Sequence, residues 1–241
     1  MRYVISDIHG EYSLFLELMD KIGFSDGDEL YCCGDIIEKG EQSVKLAKWL
    51  LGRPNVHSIR GNHEEAFLNF YYSLMRENDD YDAVLKELQC YIHGDGQLLD
   101  WDTVEAIESL PYYIESDDFI CVHAGVPLGA SGEIPPLDEI PVEELLYNRR
   151  FKQPDVIPRG AKCVFYGHTP TMNVFPDATI ITYLRHGSDG RNIADYVKVH
   201  LDTGTFTSGL LGCFCIDTCT AHFVTKRKDL ARISGKTHPI C

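Results

Sequence analysis

The chain has 241 residues, 44% of them hydrophobic and 24% charged, and a formal net charge of -15. That length supports one large domain with a well-buried core, and the negative charge works against wrapping a nucleic-acid backbone or lying on an anionic membrane, because long-range repulsion opposes both. No run approaches the roughly 18 apolar residues of a membrane span, and Met1 to Ile5 is too short for a signal-peptide apolar region, so a cytoplasmic protein is expected.

In chain order, Val4-Ile5-Ser6 reads as a strand that runs into the polar stretch Asp7-Ile8-His9-Gly10. Glu11 to Ile22 follows as a helix, since Leu14, Phe15, Leu18 and Ile22 recur at helical spacing and Gly23 can end it. The unit repeats twice. Leu30 to Cys33 is a strand that stops at Gly34-Asp35, with a helix from Glu41 to Leu51. Val56 to Arg60 is a strand that stops at Gly61-Asn62-His63-Glu64, with a helix from His63 onward. Such alternation predicts parallel strands joined by helices.

From Glu65 to Leu110 the pattern is helical, with a break at Asn78-Asp79-Asp80 and a glycine loop at His93-Gly94-Asp95-Gly96, and it predicts a helical insertion beside the site. Beyond Pro111 short apolar runs take over: Tyr112 to Glu115, Phe119 to Val122, Thr179 to Thr182, Tyr196 to Leu201 and Gly209 to Ile216, expected as strands of a second sheet. Phe119 to Val122 ends at His123, and Cys163 to Tyr166 ends at Gly167-His168. Gly125 to Pro141, rich in Gly and Pro, is a long loop of the kind that is functional or mobile. His186 to Arg191 is a turn-rich insertion. Lys226-Arg227-Lys228 opens a basic stretch, 226–241, expected either as a loose tail or as a docking element behind a domain spanning 1–225.

Nine cysteines is an odd number, and without a secretory signal a disulfide framework is not expected. Cys32, Cys33, Cys121 and Cys163 lie in apolar runs, where a thiol serves as a small core hydrophobe. Cys213, Cys215 and Cys219 have spacing that could serve zinc but lack a fourth ligand; a strand with Cys213 and Cys215 on one face is the reading favoured here.

Five strand ends thus carry Asp7, His9, Asp35, Asn62, His63, His123 and His168. A dinuclear metal centre needs a carboxylate that can bridge, flanked by imidazoles and hard oxygens from separate chain positions on rigid strands, and Asp7, His9, Asp35, Asn62, His123 and His168 form such a set. Each alone is weak; together, in this order, they are specific.

Asp7-Ile8-His9-Gly10, Gly34-Asp35-Ile36-Ile37-Glu38-Lys39-Gly40 and Gly61-Asn62-His63-Glu64 resemble the three signature blocks of the phosphoprotein phosphatase (serine/threonine) family, which belongs to the calcineurin-like metallophosphoesterases, in its bacterial type. Cys121 to Gly125 and Gly167 to Pro170 resemble the family's later histidine blocks, Leu145 to Arg149 its arginine block, and Asp202-Thr203-Gly204 a late strand end. The resemblance implies an α/β fold of two packed mixed β-sheets flanked by helices. It implies that Asp7 and His9 hold one metal, that Asp35 bridges, and that Asn62, His123 and His168 hold the second. A hydroxide bridging two such ions would attack phosphorus directly, with His63 protonating the leaving group and Glu38 orienting it.

Two positions depart from the family pattern. Asp-Arg-Gly is replaced by Glu38-Lys39-Gly40, which lengthens the partner of His63 and puts an ammonium where a guanidinium is usual. Arg149 is then the main phosphate clamp and Arg150 the alternative, with Asn62 beside the phosphate; Arg60 is expected in a structural ion pair. The nitrogen and oxygen ligands suit Mn²⁺, or Fe with Zn. The implied activity is hydrolysis of phosphoserine and phosphothreonine in proteins, or of small phosphate esters, with no nucleic-acid or membrane partner. A symmetrical dinucleoside tetraphosphate hydrolase is the alternative, disfavoured because that group typically has Asp where Glu64 stands, and an inactive metal-binding module is a third.

Overall fold

A computed structural model describes residues 1–92, 97–177, 179–227 and 238–240, the last three as backbone only. The first strand shows how the architecture follows from alternation. In β1 (Arg2–Ile5), Tyr3 and Ile5 point into one apolar cluster with the helices while Val4 points into another, between two sheets. A strand with both faces apolar has to be covered on both.

β1, β2 (Glu29–Cys32) and β3 (Val56–Ser58) pair in parallel, as the repeated strand and helix units predict. The linking helices are α1 (Tyr12–Ile22) and α2 (Ser43–Leu51). On α1 the buried side chains Leu14, Phe15, Leu18 and Met19 form one stripe, each contributing about 2 kcal/mol on burial. Gly23, at φ 64°, ends the helix in a left-handed cap whose N–H returns to Asp20 and Met19, a conformation that suits glycine.

α3 (Asn62–Glu77), α4 (Tyr81–Tyr91) and α5 (Trp101–Glu108) make up the helical insertion. The break at 78–80 is a cap, since the Asp80 carboxylate accepts from the N–H groups of Asp82 and Ala83 and supplies orphan donors with a partner. Asp100 caps α5 in the same way through Thr103. The glycine loop expected at 93–96 lies outside the described residues.

The second sheet contains β4 (Tyr113–Glu115), β5 (Phe119–Val122), β6 (Cys163–Tyr166), β7 (Ile181–Leu184) and β8 (Tyr196–His200). Its order is β11-β7-β8-β6-β5-β4, where β11 is His238–Ile240. Between β5 and β6 run the long loop, a 3-10 turn at Leu137–Glu139 and α6 (Val142–Tyr147). After β8, α7 (Thr205–Ser208) leads into β9 (Leu210–Cys215) and β10 (Thr220–Thr225).

Two expectations change. Gly209 to Ile216 was expected in the second sheet, but β9 pairs antiparallel with β1 in the first, whose order is β10-β9-β1-β2-β3. Every residue of β9 is buried, so its pattern fits the interior of either sheet. β7 starts two residues later than the expected Thr179. Most of the stretch 226–241 lies outside the described residues; within it, Lys226 forms an ion pair with Glu11, and β11 runs parallel to β7.

The cluster between the sheets contains Val4, Cys33, Phe119, Cys121, Cys163, Phe165 and Phe214, while Cys213 and Cys215 share the opposite cluster. The cysteines described are free thiols. Among the described residues, no helix is long and apolar enough to cross a membrane.

Candidate metal centre and its surroundings

β1, β2, β3, β5 and β6 all end at the same side of the molecule, and the loops that leave β1 and β2 are zipped together. Asp7 N–H donates to Gly34 O (3.1 Å), His9 N–H to Asp35 O (2.9 Å), Gly10 N–H to Ile36 O (2.8 Å) and Gly40 N–H to His9 O (2.9 Å). The zip holds a strained backbone. Asp7, His9, Asp35, Glu38, Lys39 and His168 all have φ between 50° and 69°, a region that non-glycine residues seldom enter and that clusters at functional sites.

Asp35 lies at the centre. Its Oδ2 is 3.5 Å from His9 Nε2 and 3.8 Å from His63 Nε2, and its Oδ1 is 3.4 Å from His123 Nε2. Burial, with the charges of Asp7 and Glu64, pushes its carboxyl well above the ordinary range. Asp7 accepts from the His168 N–H (3.0 Å to Oδ2) and from the Ser6 hydroxyl. On the far side of Asp35, Asn62 Oδ1 is 2.8 Å from His123 Nε2 and 2.9 Å from His168 Nδ1. All six residues read from the sequence as a ligand set therefore meet in one cluster.

The donor chemistry of this cluster fits cations. His123 Nδ1 lies 2.8 Å from the Cys33 carbonyl and must donate to it, so in the neutral ring the Nε2 lone pair faces Asn62 Oδ1 and Asp35. Electron pairs facing electron pairs are what a positive ion reconciles. His9 is oriented likewise by the Ile37 carbonyl (3.3 Å). Burial, and then Lys39, holds His9 well below the ordinary imidazole range, and burial, His123 and Arg149 take His168 down to about 3, so both stay neutral, as ligands must be.

His63 differs. Its Nδ1 is 2.6 Å from Glu38 Oε2, so the longer Glu38 does reach it. Burial pulls the imidazolium down, but the Glu38 hydrogen bond and the charge of Asp35 outweigh it and the net shift is upward. Nε2 is left pointing at the cluster in a ring whose proton affinity is raised. His63, His9 and Asp35 also lie close enough together to hold an ion; the raised proton affinity favours a proton donor over a ligand.

Lys39 does not simply point to solvent, since its Nζ lies 2.8 Å from His9 Nε2. Arg149 is tied to the site through Thr169 Oγ1 (3.3 Å) and helps depress His168, whereas Arg150 is engaged, among the described residues, through its backbone alone, with Asn148 (3.0 Å) and Gln153 (3.0 Å). Arg60 sits in the structural pair expected for it, with Glu65 at 3.0 Å and the Tyr112 hydroxyl at 3.0 Å.

Glu64 is the residue whose role sequence reasoning missed. Fully buried, it accepts from four backbone amides: Ile36 (2.8 Å) and Ile37 (3.1 Å) at Oε1, Asp35 (2.9 Å) and Gly61 (2.8 Å) at Oε2. It braces the loop that carries Asp35 and faces no substrate, so its identity is no physical ground for choosing between substrate classes. Its place at the third position of a helix that begins at Gly61 was the available signal. Ser6, Thr169 and the carbonyls of Cys33 and Ile37 also act here, without a signature of their own. Gly61 and Gly167 are required by close approach, because a Cβ would fall 2.3 Å from Asp35 Oδ1 at the first and 2.0 Å from Asp7 Oδ2 at the second.

Residues 2–183 match the family described as calcineurin-like phosphoesterase. A symmetrical bis(5'-nucleosyl)-tetraphosphatase of Neisseria meningitidis is 31% identical over 129 residues, 52% of this chain and 43% of that one, so the chain spans less than half the length of that relative. Serine/threonine-protein phosphatase 2 of Salmonella typhimurium is 28% identical over 238 residues, 89% of this chain and 92% of that one. A crystal structure assigned to a diadenosine tetraphosphatase superposes with a TM-score of 0.66 at 17% identity, over 94% of both chains, which is a likeness of fold.

Proposed function

Because the chain belongs to the calcineurin-like phosphoesterase family, and so is a phosphoester hydrolase, we propose that it is a two-metal phosphomonoesterase acting on phosphoserine and phosphothreonine in proteins. The observation that carries the two-metal part is the central position of Asp35, with histidines of both flanks within 3.8 Å of its two oxygens. Asp7, His9 and Asp35 would hold one ion, and Asp35, Asn62, His123 and His168 the other, with Mn²⁺ the first choice for this nitrogen and oxygen set and Fe with Zn the alternative. Two such ions supply acidification of water and neutralisation of phosphoryl charge.

The side chains do the rest. His63, kept protonated by Glu38, delivers its Nε2 proton to the leaving alkoxide. Arg149 and the Lys39 ammonium bind phosphoryl oxygens, Arg149 as a two-pronged donor and Lys39 as a point charge. For Lys39 this means leaving His9 Nε2, which the same residue now contacts.

The protein-phosphatase choice rests on the relative aligned along 92% of its length. The tetraphosphatase likeness, at higher identity over a shorter stretch, keeps cleavage of a dinucleoside tetraphosphate as the second reading. Purified protein with Mn²⁺, assayed in parallel on an aryl phosphate, a phosphothreonine peptide and a dinucleoside tetraphosphate, separates them. A far higher specificity constant on the dinucleotide than on any phosphopeptide would replace the first reading with the second.

A further inference from the structure

Beside Arg149, the loop after α6 and the long loop 125–141 line a cavity of about 780 Å³. Arg149 is one of its walls and links it to the metal centre through Thr169, the neighbour of His168. Its other guanidinium groups are Arg150 and Arg159. Within a chain of net charge -15, arginines elsewhere are engaged: Arg2 pairs with Asp118 and Asp217, Arg60 with Glu65, and Arg191 with Asp189. Arg150 and Arg159, by contrast, have no side-chain partner among the described residues.

Two carboxylates share the lining, Glu144 and Asp155, but neither neutralises these arginines. Glu144 is occupied by the Asn148 side-chain amide at 2.8 Å, and no ion pair within 4.0 Å joins either acid to Arg150 or Arg159 among the described residues. Asp155 instead acts on the buried Lys198 behind the loop. Both side chains are exposed, on a backbone that is anchored: the Arg150 N–H donates to Asn148 (3.0 Å), the Arg159 N–H donates to Gly132 O (2.7 Å), and the stem of the Arg159 side chain lies across Gly132. Lys152, next to the cavity wall, falls below its ordinary pKa through burial and, secondarily, the charge of Arg149.

Guanidinium groups held apart from carboxylates, at the wall of a concave space, form a site for oxygen anions, since the fork geometry matches phosphoryl and carboxylate groups and low-dielectric walls focus the field. We propose that this cavity is a second anion subsite, in which Arg150 and Arg159 bind a further phosphoryl or carboxylate group of the substrate while its scissile phosphate lies beyond Arg149. The inference rests on the phosphoesterase reading and deepens it: preferred substrates are phosphate esters carrying a second anionic group. That group has two chemical sources, acidic side chains flanking a phosphorylated residue or the remaining phosphates of a polyphosphate chain.

Two substrate pairs distinguish the sources. One is a phosphothreonine peptide with neutral flanks against the same peptide with glutamates beside the phosphothreonine; the other is an aryl phosphate against a symmetrical dinucleoside tetraphosphate. In Arg150→Gln and Arg159→Gln the preference for the more anionic member, as a ratio of specificity constants, falls about tenfold or more in at least one pair, and Arg159→Lys restores part of it. The pair that responds identifies the source. Unchanged ratios in both pairs overturn the subsite.

A binding measurement keeps this separate from the parent reading. Inorganic tripolyphosphate, titrated calorimetrically into the metal-loaded protein, binds about tenfold or more weakly to the Arg150→Gln/Arg159→Gln double variant. Equal affinity refutes the subsite even in an active enzyme. An inactive wild type that still loses tripolyphosphate affinity on mutation would instead remove the phosphoesterase reading and leave the anion site standing.

Discussion

Replacing Glu64 by glutamine preserves shape and removes half of the acceptor capacity. Each carboxylate oxygen receives two backbone N–H groups, Ile36 and Ile37 on one and Asp35 and Gly61 on the other. Whichever way the amide of Glu64→Gln is turned, its NH2 end meets two donors and has nothing to accept with. Two buried N–H groups are then unpaired, at about 1–3 kcal/mol each, so the variant loses about 2–6 kcal/mol of folding stability.

The loss reaches the site because either orientation releases amides of the loop that carries Asp35, its own together with that of Gly61 in one case and those of Ile36 and Ile37 in the other. Urea unfolding followed by circular dichroism measures the first effect, and Mn²⁺ titration the second, where affinity is expected to fall together with turnover. The exposed Glu17 serves as a control, since Glu17→Gln should stay within about 0.5 kcal/mol of wild type. If Glu64→Gln were as close to wild type as that control, the four-amide brace would carry no weight and the account of Asp35's placement would be wrong.

Asp35→Asn removes the one carboxylate, among the described residues, with both flanks in reach; it is expected to lower metal occupancy and nearly abolish turnover, and full activity after thorough chelation of the wild type would defeat the two-metal proposal. His63→Asn is expected to keep its metals and lose on the order of 10² to 10⁴ in rate on alkyl phosphates but far less on activated aryl phosphates; equal losses on both would take the acid role from His63. Lys39→Ala should lower the specificity constant about ten- to a hundredfold through loss of a charge-assisted hydrogen bond, with Lys39→Arg equal to wild type or better, and wild-type kinetics in Lys39→Ala would place the residue outside phosphate binding. Lys198, buried on β8, donates to the carbonyls of Phe151 (2.6 Å), Gln153 (2.9 Å) and Val156 (2.6 Å), and burial takes its pKa from 10.5 to about 7. Between those values the unfolded chain holds the extra proton, so folding stability rises with pH across that window and is flat for this group below about 7. Lys198→Met should lack the rise, and parallel stability curves for the two proteins between pH 7 and 10 would contradict the assignment.

Legibility in the sequence followed locality. The parallel half of the first sheet could be read because strand, polar loop and helix repeat within short windows, each with its own period and stop signal. β9 went to the wrong sheet because period-two alternation tells which faces are buried and not which strand is the neighbour, and a strand buried throughout fits either sheet. β10, at the edge of its sheet among the described residues and with only two of its six residues buried, has a pattern too weak to stand out. At the site, the meeting of Asp7, His9, Asp35, Asn62, His123 and His168 in one cluster was legible because candidate ligands come as particular residue types at strand ends. The Glu64 brace and the Lys198 anchor were not, because a charged residue bound to main-chain groups has no partner that side-chain identity could reveal.

The same distinction explains why so much strain collects in so few residues. Aspartate and histidine visit the left-handed region more readily than most side chains, but Glu38 and Lys39 do so at a cost of about 1 kcal/mol or more each. A loop of that kind would relax if it stood alone. Here the first loop cannot turn back without breaking its bonds to the 34–36 backbone, and the second cannot without breaking those same bonds and the three that Asp35, Ile36 and Ile37 make to Glu64. Each strained segment is thus the other's support. His9, Asp35, Glu38 and Lys39 reach one point because their backbones are held in conformations they would not choose separately, and a substitution that relaxes one segment is expected to displace groups on both.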